Sequence, residues 1–111
     1  MADSRPDASQ YALAVDTTDG QRAVLAFSGV LDAHALRELE ELLLDPRLRR
    51  AGAWVLEMRA VERIDLACAY AVLRAATSLP ETPAVTVRGA RRSVQRTLRH
   101  AGVDAVVTFE E

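Results

Sequence analysis

Short apolar runs alternate with stretches of helical periodicity along almost the whole chain, and this order is the strongest constraint on its fold. The runs typical of strands cover residues 11–15, 22–31, 53–58, 84–87 and 106–109. Three amphipathic stretches separate the later runs. Strand–helix–strand repeats favour parallel strands joined by right-handed crossovers. The sequence therefore predicts a single α/β domain. It has a mixed sheet of four or five strands, the first antiparallel and the rest mainly parallel, packed with three main helices.

A turn signal separates the first two apolar runs. Asp19-Gly20 is a favoured pair for a tight β-hairpin, because both central residues of such a turn need a positive φ. This pair predicts antiparallel pairing of the first two strands. The second run is apolar at almost every position, which is typical of a strand covered on both faces in the middle of a sheet.

The first helix is predicted over residues 33–44, with charged residues on the outer face. Asp32 is placed to act as its N-cap, because a carboxylate there can accept a free backbone N–H. Asp45-Pro46 ends it, since the residue before proline is disfavoured in the α region. The inward face carries Leu36, Leu39, Leu42 and Leu43.

Two further helices follow the same logic. The second is predicted to start with Asp65 as N-cap. Its inward stripe comprises Leu66, Ala69/Tyr70, Leu73 and Ala76/Thr77. The third covers residues 91–101 and ends at Gly102, in the position where helices commonly finish with a left-handed residue. Its inward residues are Val94, Leu98 and Ala101.

Length and composition favour one domain with one core. The chain has 111 residues, of which 50% are apolar, and single domains most often have about 100–150 residues. We assign the domain to residues 11–111. Residues 1–10 are polar and lack the apolar segment of a secretory signal, so we expect a short disordered N-terminal tail.

Charge and cysteine content exclude several classes of function. A net charge of −2 gives no general attraction to nucleic acid or to an anionic membrane, so neither is expected as a partner. No apolar run approaches the roughly 20 residues that span a bilayer, so no membrane insertion is expected. The single cysteine, Cys68, rules out an internal disulfide and fits a reducing compartment. We therefore expect a cytoplasmic protein.

Motifs for catalysis or metal binding are not found. The sequence has no glycine-rich phosphate loop, no Gly-x-Ser-x-Gly motif and no evident nucleophile–base pair. His34 and His100 are far apart in sequence and have no Cys or His at ligand spacing. We expect neither an enzyme nor a cofactor or metal site.

Four short segments, taken in order and spacing, carry a family resemblance. They are Gly29-Val30-Leu31-Asp32, Trp54-Val55-Leu56-Glu57-Met58, Val61-Glu62-Arg63-Ile64-Asp65, and the third helix with its ending Ala101-Gly102-Val103. Together they resemble the STAS family, the bacterial anti-sigma factor antagonists, over about residues 11–109. The resemblance implies the STAS fold and a non-enzymatic module that binds another protein.

The family's switch segment corresponds to the start of the second helix. In the family, a hydroxyl two residues after the Asp of this segment accepts a phosphoryl group, and that position is Ala67 here. Leu66 replaces the other usual hydroxyl residue, and Cys68 stands in place of the usual glycine. Because phosphoryl transfer needs an oxygen nucleophile, no phosphorylation is expected at this position.

The resemblance also implies a partner and a binding surface. The partner is an anti-sigma factor of the histidine-kinase-like ATPase type, whose binding releases a sigma factor. In the family, the start of the second helix and the adjoining loop form the surface that meets this partner. The residues implied are Asp32, His34, Arg63, Ile64, Asp65, Leu66, Ala67 and Cys68.

Alternatives remain open for individual residues and for the function. Asp65 is either a plain N-cap or also a contact for the partner. Cys68 is either a small buried hydrophobe or a redox-sensing thiol with a lowered pKa. The chain could instead be a scaffold subunit of a stressosome-like or lipid-transport assembly, and it is compatible with a homodimer. A small-ligand or nucleotide sensor is suggested by the arginine cluster after Gly89.

Overall fold

The computed structural model describes residues 11–19 and 21–110. The predicted disordered tail, residues 1–10, lies outside the described residues. The elements, in chain order, are β1 (Tyr11–Thr18), β2 (Arg22–Leu31), α1 (Ala33–Leu42), α2 (Pro46–Arg50), β3 (Ala53–Ile64), α3 (Leu66–Thr77), β4 (Ala84–Arg88), α4 (Arg92–His100), a 3-10 helix (Val103–Ala105) and β5 (Val107–Glu110).

The five strands form one sheet in the order β1-β2-β3-β4-β5. β1 pairs antiparallel with β2, and the three remaining pairs are parallel. The predicted α/β domain with a mixed sheet and an antiparallel first strand is thus confirmed. Leu31 and Ile64 are paired at the ends of β2 and β3, so the two helices that follow these strands start next to each other.

The β1–β2 connection is held by Asp19. Its carboxylate accepts the backbone N–H of Gln21 at 3.1 Å and that of Arg22 at 2.8 Å. These hydrogen bonds stabilise the charged form and hold the pKa of Asp19 below its ordinary value. The predicted antiparallel pairing of β1 and β2 is confirmed by the register. Asp19 does not have the positive φ expected of a central turn residue, and Gly20 lies outside the described residues.

The core lies between the sheet and the helices, on one face of the sheet. In β2, Ala23, Leu25 and Phe27 are buried, whereas the alternate residues Val24 and Ala26 are only half-buried. The prediction that β2 is covered on both faces is therefore wrong. The burial pattern has period two because α1 packs against β1 and β2 on one side.

A short helix that the sequence analysis missed follows α1. Pro46 stands in the first turn of α2, where its missing N–H costs nothing. Asp45 caps this helix by accepting the backbone N–H of Arg47 at 2.8 Å. Leu48 is buried, and its carbonyl accepts the indole N–H of Trp54 at 3.1 Å. The prediction that the first helix ends before Pro46 is correct, because α1 ends at Leu42. Pro46 is also the first residue of α2.

The inward face of α3 agrees with the predicted stripe at Ala69 and Ala76 and differs from it elsewhere. Its buried residues are Cys68, Ala69, Ala71, Val72 and Ala76. Leu66 and Tyr70 are 38% and 41% exposed, and Leu73 is only half-buried. The small residues face inward because α3 packs between α1 and α4, where close helix approach favours short side chains.

The third predicted helix agrees with α4. Val94, Leu98 and Ala101 are buried, and Gly102 follows with φ of 90°. None of the helices within the described residues has the length and apolar character needed to cross a membrane.

Candidate functional site at the start of α3

The starts of α1 and α3 are joined by two contacts across the ends of β2 and β3. The backbone N–H of Asp65 donates to the carbonyl of Leu31 at 2.8 Å. The thiol of Cys68 donates to the carbonyl of Asp32 at 3.4 Å. The structure therefore brings the 63–68 segment together with the Asp32 loop, two regions more than thirty residues apart in sequence.

The two aspartates at these helix starts behave differently. Asp32 caps α1, because its Oδ1 accepts the backbone N–H of His34 at 3.0 Å. The side chain of His34 is 86% exposed, with Nδ1 3.6 Å from the same carboxylate oxygen. Asp65 occupies the N-cap position of α3, but its side chain makes no cap hydrogen bond. The predicted N-cap position of Asp65 is therefore confirmed, but its carboxylate does not provide a capping hydrogen bond.

Tyr11 fixes the position of α1 from the other side. Its hydroxyl donates to a carboxylate oxygen of Glu38 at 3.0 Å and lies 3.5 Å from the carbonyl of His34. The first residue of β1 is thereby tied to the first turns of α1. This contact is not evident from the sequence, since it depends on how the hairpin lies against the helix.

Burial divides the eight residues predicted to bind a partner. Ile64 is 3% exposed and Cys68 is completely buried, so both support the surface from below without being part of it. Arg63, Leu66 and Ala67 are exposed, and Asp65 is half-buried. The accessible part of this helix start combines the apolar side chains of Leu66 and Ala67 with the charged groups of Arg63 and Asp65.

The environment of Cys68 raises the pKa of its thiol to about 11. Burial is the main cause, and the negative charges of Asp65, Asp32 and Glu40 add to it. A thiol with a raised pKa is poorly ionised at neutral pH and therefore a weak nucleophile. The structure favours the buried small hydrophobe over the redox sensor.

A cleft of about 360 Å³ lies beside this helix start, with α4 as its other wall. Residues 63–66 line one side, and Arg96, Thr97 and His100 line the other. These α4 residues were not among the predicted site residues, although Arg96 belongs to the arginine cluster after Gly89. Only the packing of α4 beside α3 brings the two segments together.

Ala67 presents a methyl group where the resemblance places a phosphorylated hydroxyl. Among the residues lining the cleft, Thr97 carries a hydroxyl, and it donates to the carbonyl of Ser93 at 3.3 Å. Within residues 11–19 and 21–110, no group of three or more His, Cys, Asp or Glu side chains is placed to hold a metal ion.

A protein-family model described as "Mlab, STAS domain" matches residues 14–108. The chain belongs to the STAS domain family. The match covers all four α-helices and most of the sheet, leaving out only the outer ends of β1 and β5. No curated protein sequence matches the chain.

Solved structures share the STAS fold of this chain. An anti-sigma factor antagonist from Mycobacterium paratuberculosis is similar with a TM-score of 0.77 and 20% identity, over 96% of this chain and 89% of that one. The unphosphorylated anti-sigma factor antagonist SpoIIAA gives a TM-score of 0.65 at 12% identity, over 88% and 87%. The phosphorylated Bacillus SpoIIAA gives 0.67 at 12% identity, over 88% and 90%. At these identities the likeness establishes the fold alone.

Proposed function

We propose that this chain is a non-catalytic, cytoplasmic interaction module of the anti-sigma factor antagonist type. Its partner is an anti-sigma factor of the histidine-kinase-like ATPase type, and its binding releases a sigma factor. One observation carries the proposal. At the start of α3, the exposed Leu66 and Ala67 stand beside Asp65, whose carboxylate accepts no hydrogen bond from any residue in the described part of the chain.

The exposed groups suit docking. Leu66 is 38% exposed, and removing its remaining apolar surface from water stabilises a complex by about 25 cal/mol per Å². The carboxylate of Asp65 is available to accept hydrogen bonds from donors on the partner, which are stronger when one group is charged. Arg63 and His34 provide exposed polar groups at the edge, as is common around an apolar interface centre.

The missing hydroxyl makes this surface insensitive to phosphorylation at residue 67. Transfer of a phosphoryl group needs an oxygen nucleophile, and the Ala67 methyl group provides none. A phosphoserine would bring about two negative charges to an interface and repel a docked partner. With alanine in place, the helix start keeps the same charge in the presence and absence of ATP. The module is therefore permanently competent to bind.

The substitution Ala67→Asp tests the docking surface. A carboxylate in the first turn of α3 is tolerated by the helix, since negative charge there is favourable by about 0.3–1 kcal/mol. In the complex the same charge loses its water without gaining a partner, which is costly. We expect an unchanged melting temperature and an affinity at least tenfold lower, or about 1.4 kcal/mol. The measurement is isothermal titration against the purified ATPase-type anti-sigma factor from the same organism.

The matched control is Ala84→Asp, which adds the same charge at an exposed position. Ala84 begins β4 and pairs with Ala53 at the opposite end of the parallel strands. This variant should bind with wild-type affinity. Equal affinity of the wild type and Ala67→Asp would show that the start of α3 is not the docking surface. Absence of wild-type binding would contradict the proposed class of partner.

A scaffold subunit of a larger assembly is the second candidate, and the absence of a hydroxyl at residue 67 favours it too, because a scaffold needs no switch. Displacement separates the two functions. An antagonist added to a preformed complex of anti-sigma factor and sigma factor should release the sigma factor, as followed by size-exclusion chromatography. Stable binding without release would favour the scaffold.

A further inference from the structure

An apolar groove lies at the end of the helical layer opposite the candidate site. It forms where the last turns of α1 and α3 meet α2 and has a volume of about 270 Å³. Its apolar lining includes Leu43, Leu48, Trp54, Ala71, Ala75 and Leu79. We call it the α1–α3 groove. From Leu66 to Arg74, α3 rises about 12 Å at 1.5 Å per residue, so the groove is separate from the surface at the start of α3.

Leu44 stands at the rim of this groove and projects into solvent. It is 75% exposed, well above the 38% of Leu66 and 41% of Tyr70, the other large apolar side chains that are exposed within the described residues. A single exposed leucine is ordinary on a protein surface. Leu44 is a more unusual case, because it lies beside an apolar groove. The same patch then contains both a projecting apolar side chain and a recess that can receive one.

The rim of the groove carries charges of both signs. Glu40 and Arg74 form an ion pair with Nη2 and Oε2 3.4 Å apart, and both side chains are at least half exposed. Arg49 also lines the groove and forms no ion pair with any residue that the structure describes. A strongly acidic or strongly basic partner would meet a like charge on part of this rim. A second copy of the same surface, turned by a two-fold rotation, can place acidic groups against basic ones.

We propose that two copies of this chain pair across the α1–α3 groove, with Leu44 of each copy inserted into the groove of the other. A two-fold contact uses the same patch on both copies. This patch is self-complementary because it contains a projecting leucine, a groove that can receive one, and charges of both signs at the rim. The pairing buries Leu44 and covers the apolar lining. Because the groove and the start of α3 lie at opposite ends of the helical layer, the dimer presents two free partner-binding surfaces.

Oligomeric state tests this proposal directly and needs no knowledge of the partner. Sedimentation velocity over a concentration series, from low micromolar to near-millimolar protein, should show a monomer–dimer equilibrium for the wild type. Leu44→Glu should weaken dimerisation by about a hundredfold, since a tenfold loss at each of two symmetric contacts is multiplied. Leu44→Ser, which removes the apolar group without adding charge, should also weaken it.

Leu66→Glu is the matched control, because it places the same charge on the other end of α3. It should leave the dimerisation constant unchanged. Circular dichroism and melting temperature establish that all three variants are folded, as expected for substitutions of exposed side chains.

Three results would overturn the proposal. They are a monomer at every concentration, a dimer with equal affinity in the wild type and Leu44→Glu, and a native mass spectrum in which the monomer carries a small apolar molecule that Leu44→Glu loses. The last result would assign the groove to a ligand. None of these results bears on binding of an anti-sigma factor at the start of α3.

Discussion

Two opposing effects act on the thiol of Cys68. Its place in the first turn of α3 favours the thiolate, because a helix N-terminus stabilises negative charge. Complete burial and three nearby carboxylates favour the neutral thiol, and they raise its pKa to about 11. Burial prevails because the dipole effect is small, whereas desolvation of a charged group in the core is expensive. The residue acts as a small apolar side chain that also donates to the Asp32 carbonyl.

Cys68 should accordingly be unreactive in the folded protein. At pH 8, labelling by a thiol reagent such as Ellman's reagent should be slow under native conditions and rapid in denaturant. An exposed thiol introduced by Ser93→Cys in a Cys68→Ala background should react rapidly in the folded state. Fast, stoichiometric labelling of Cys68 in the wild type would contradict its burial.

The raised pKa of Cys68 should make the stability of the fold decrease at high pH. Because folding raises its pKa from 9.0 to about 11, the neutral thiol contributes stability that is full below pH 9. This stability is lost as the pH rises toward 11, since the unfolded chain ionises first. Cys68→Ala should remove this part of the pH dependence in chemical denaturation.

At the scale of elements, α3 shows how packing selects among apolar residues. Of the predicted stripe, Ala69 and Ala76 are buried, whereas Leu66 and Tyr70 are exposed and Leu73 is half-buried. The buried face carries alanines, Cys68 and Val72. The larger side chains are left half-buried or exposed, and Leu66 thereby becomes part of the candidate docking surface.

The phase of α3 is testable by a pair of truncations. Val72 is 1% exposed, and Val72→Ala removes two methyl groups from the core, which should cost about 2 kcal/mol of unfolding free energy. Tyr70→Ala removes a larger side chain that is 41% exposed, and it should cost less than about 1 kcal/mol. Urea denaturation of the wild type and the two variants measures both losses of unfolding free energy. A greater loss for Tyr70→Ala would restore the phase expected from hydrophobicity alone.

At the scale of the whole molecule, the sheet has one face packed against helices and another that carries polar residues. On the second face, Glu57, Arg88 and Glu110 form a row across β3, β4 and β5. Nη1 of Arg88 lies 3.1 Å from Oε2 of Glu57, and Nε of Arg88 lies 3.4 Å from Oε1 of Glu110. The side chains of Arg88 and Glu57 are each 32% exposed, so their ion pair is partly protected from solvent screening. The row links three neighbouring strands through one arginine.

Arg88→Gln should lower the unfolding free energy by about 0.5–2 kcal/mol, because two carboxylates lose their shared cation. The loss should shrink in high salt, since added ions screen the remaining repulsion. Denaturation at low and high ionic strength measures both effects. Arg92→Gln is the control, because Arg92 is exposed and has no ion pair among the described residues. Equal stabilities of the two variants at low salt would show that the row contributes nothing.

The sequence alone was sufficient to predict the order of the strands and of the three main helices, the antiparallel first strand and the parallel remainder. It also determined the Asp32 cap, the end of α4 at Gly102 and the STAS resemblance. These features depend on local chemistry: periodicity of apolar residues, turn residues, capping carboxylates and short ordered motifs. Such signals act within a few residues, so they can be recognised without knowing the packing.

Which residues lie on the surface depends on the tertiary structure. It placed Ile64 and Cys68 inside, left Leu66 outside, and brought Arg96, Thr97 and His100 beside the start of α3. It also revealed α2 and the groove that α2 helps to form. These features depend on which elements meet and how closely they pack, and residues distant in sequence decide that. Periodicity gives a helix its apolar side, but the neighbouring helices and the sheet determine which of those residues are buried.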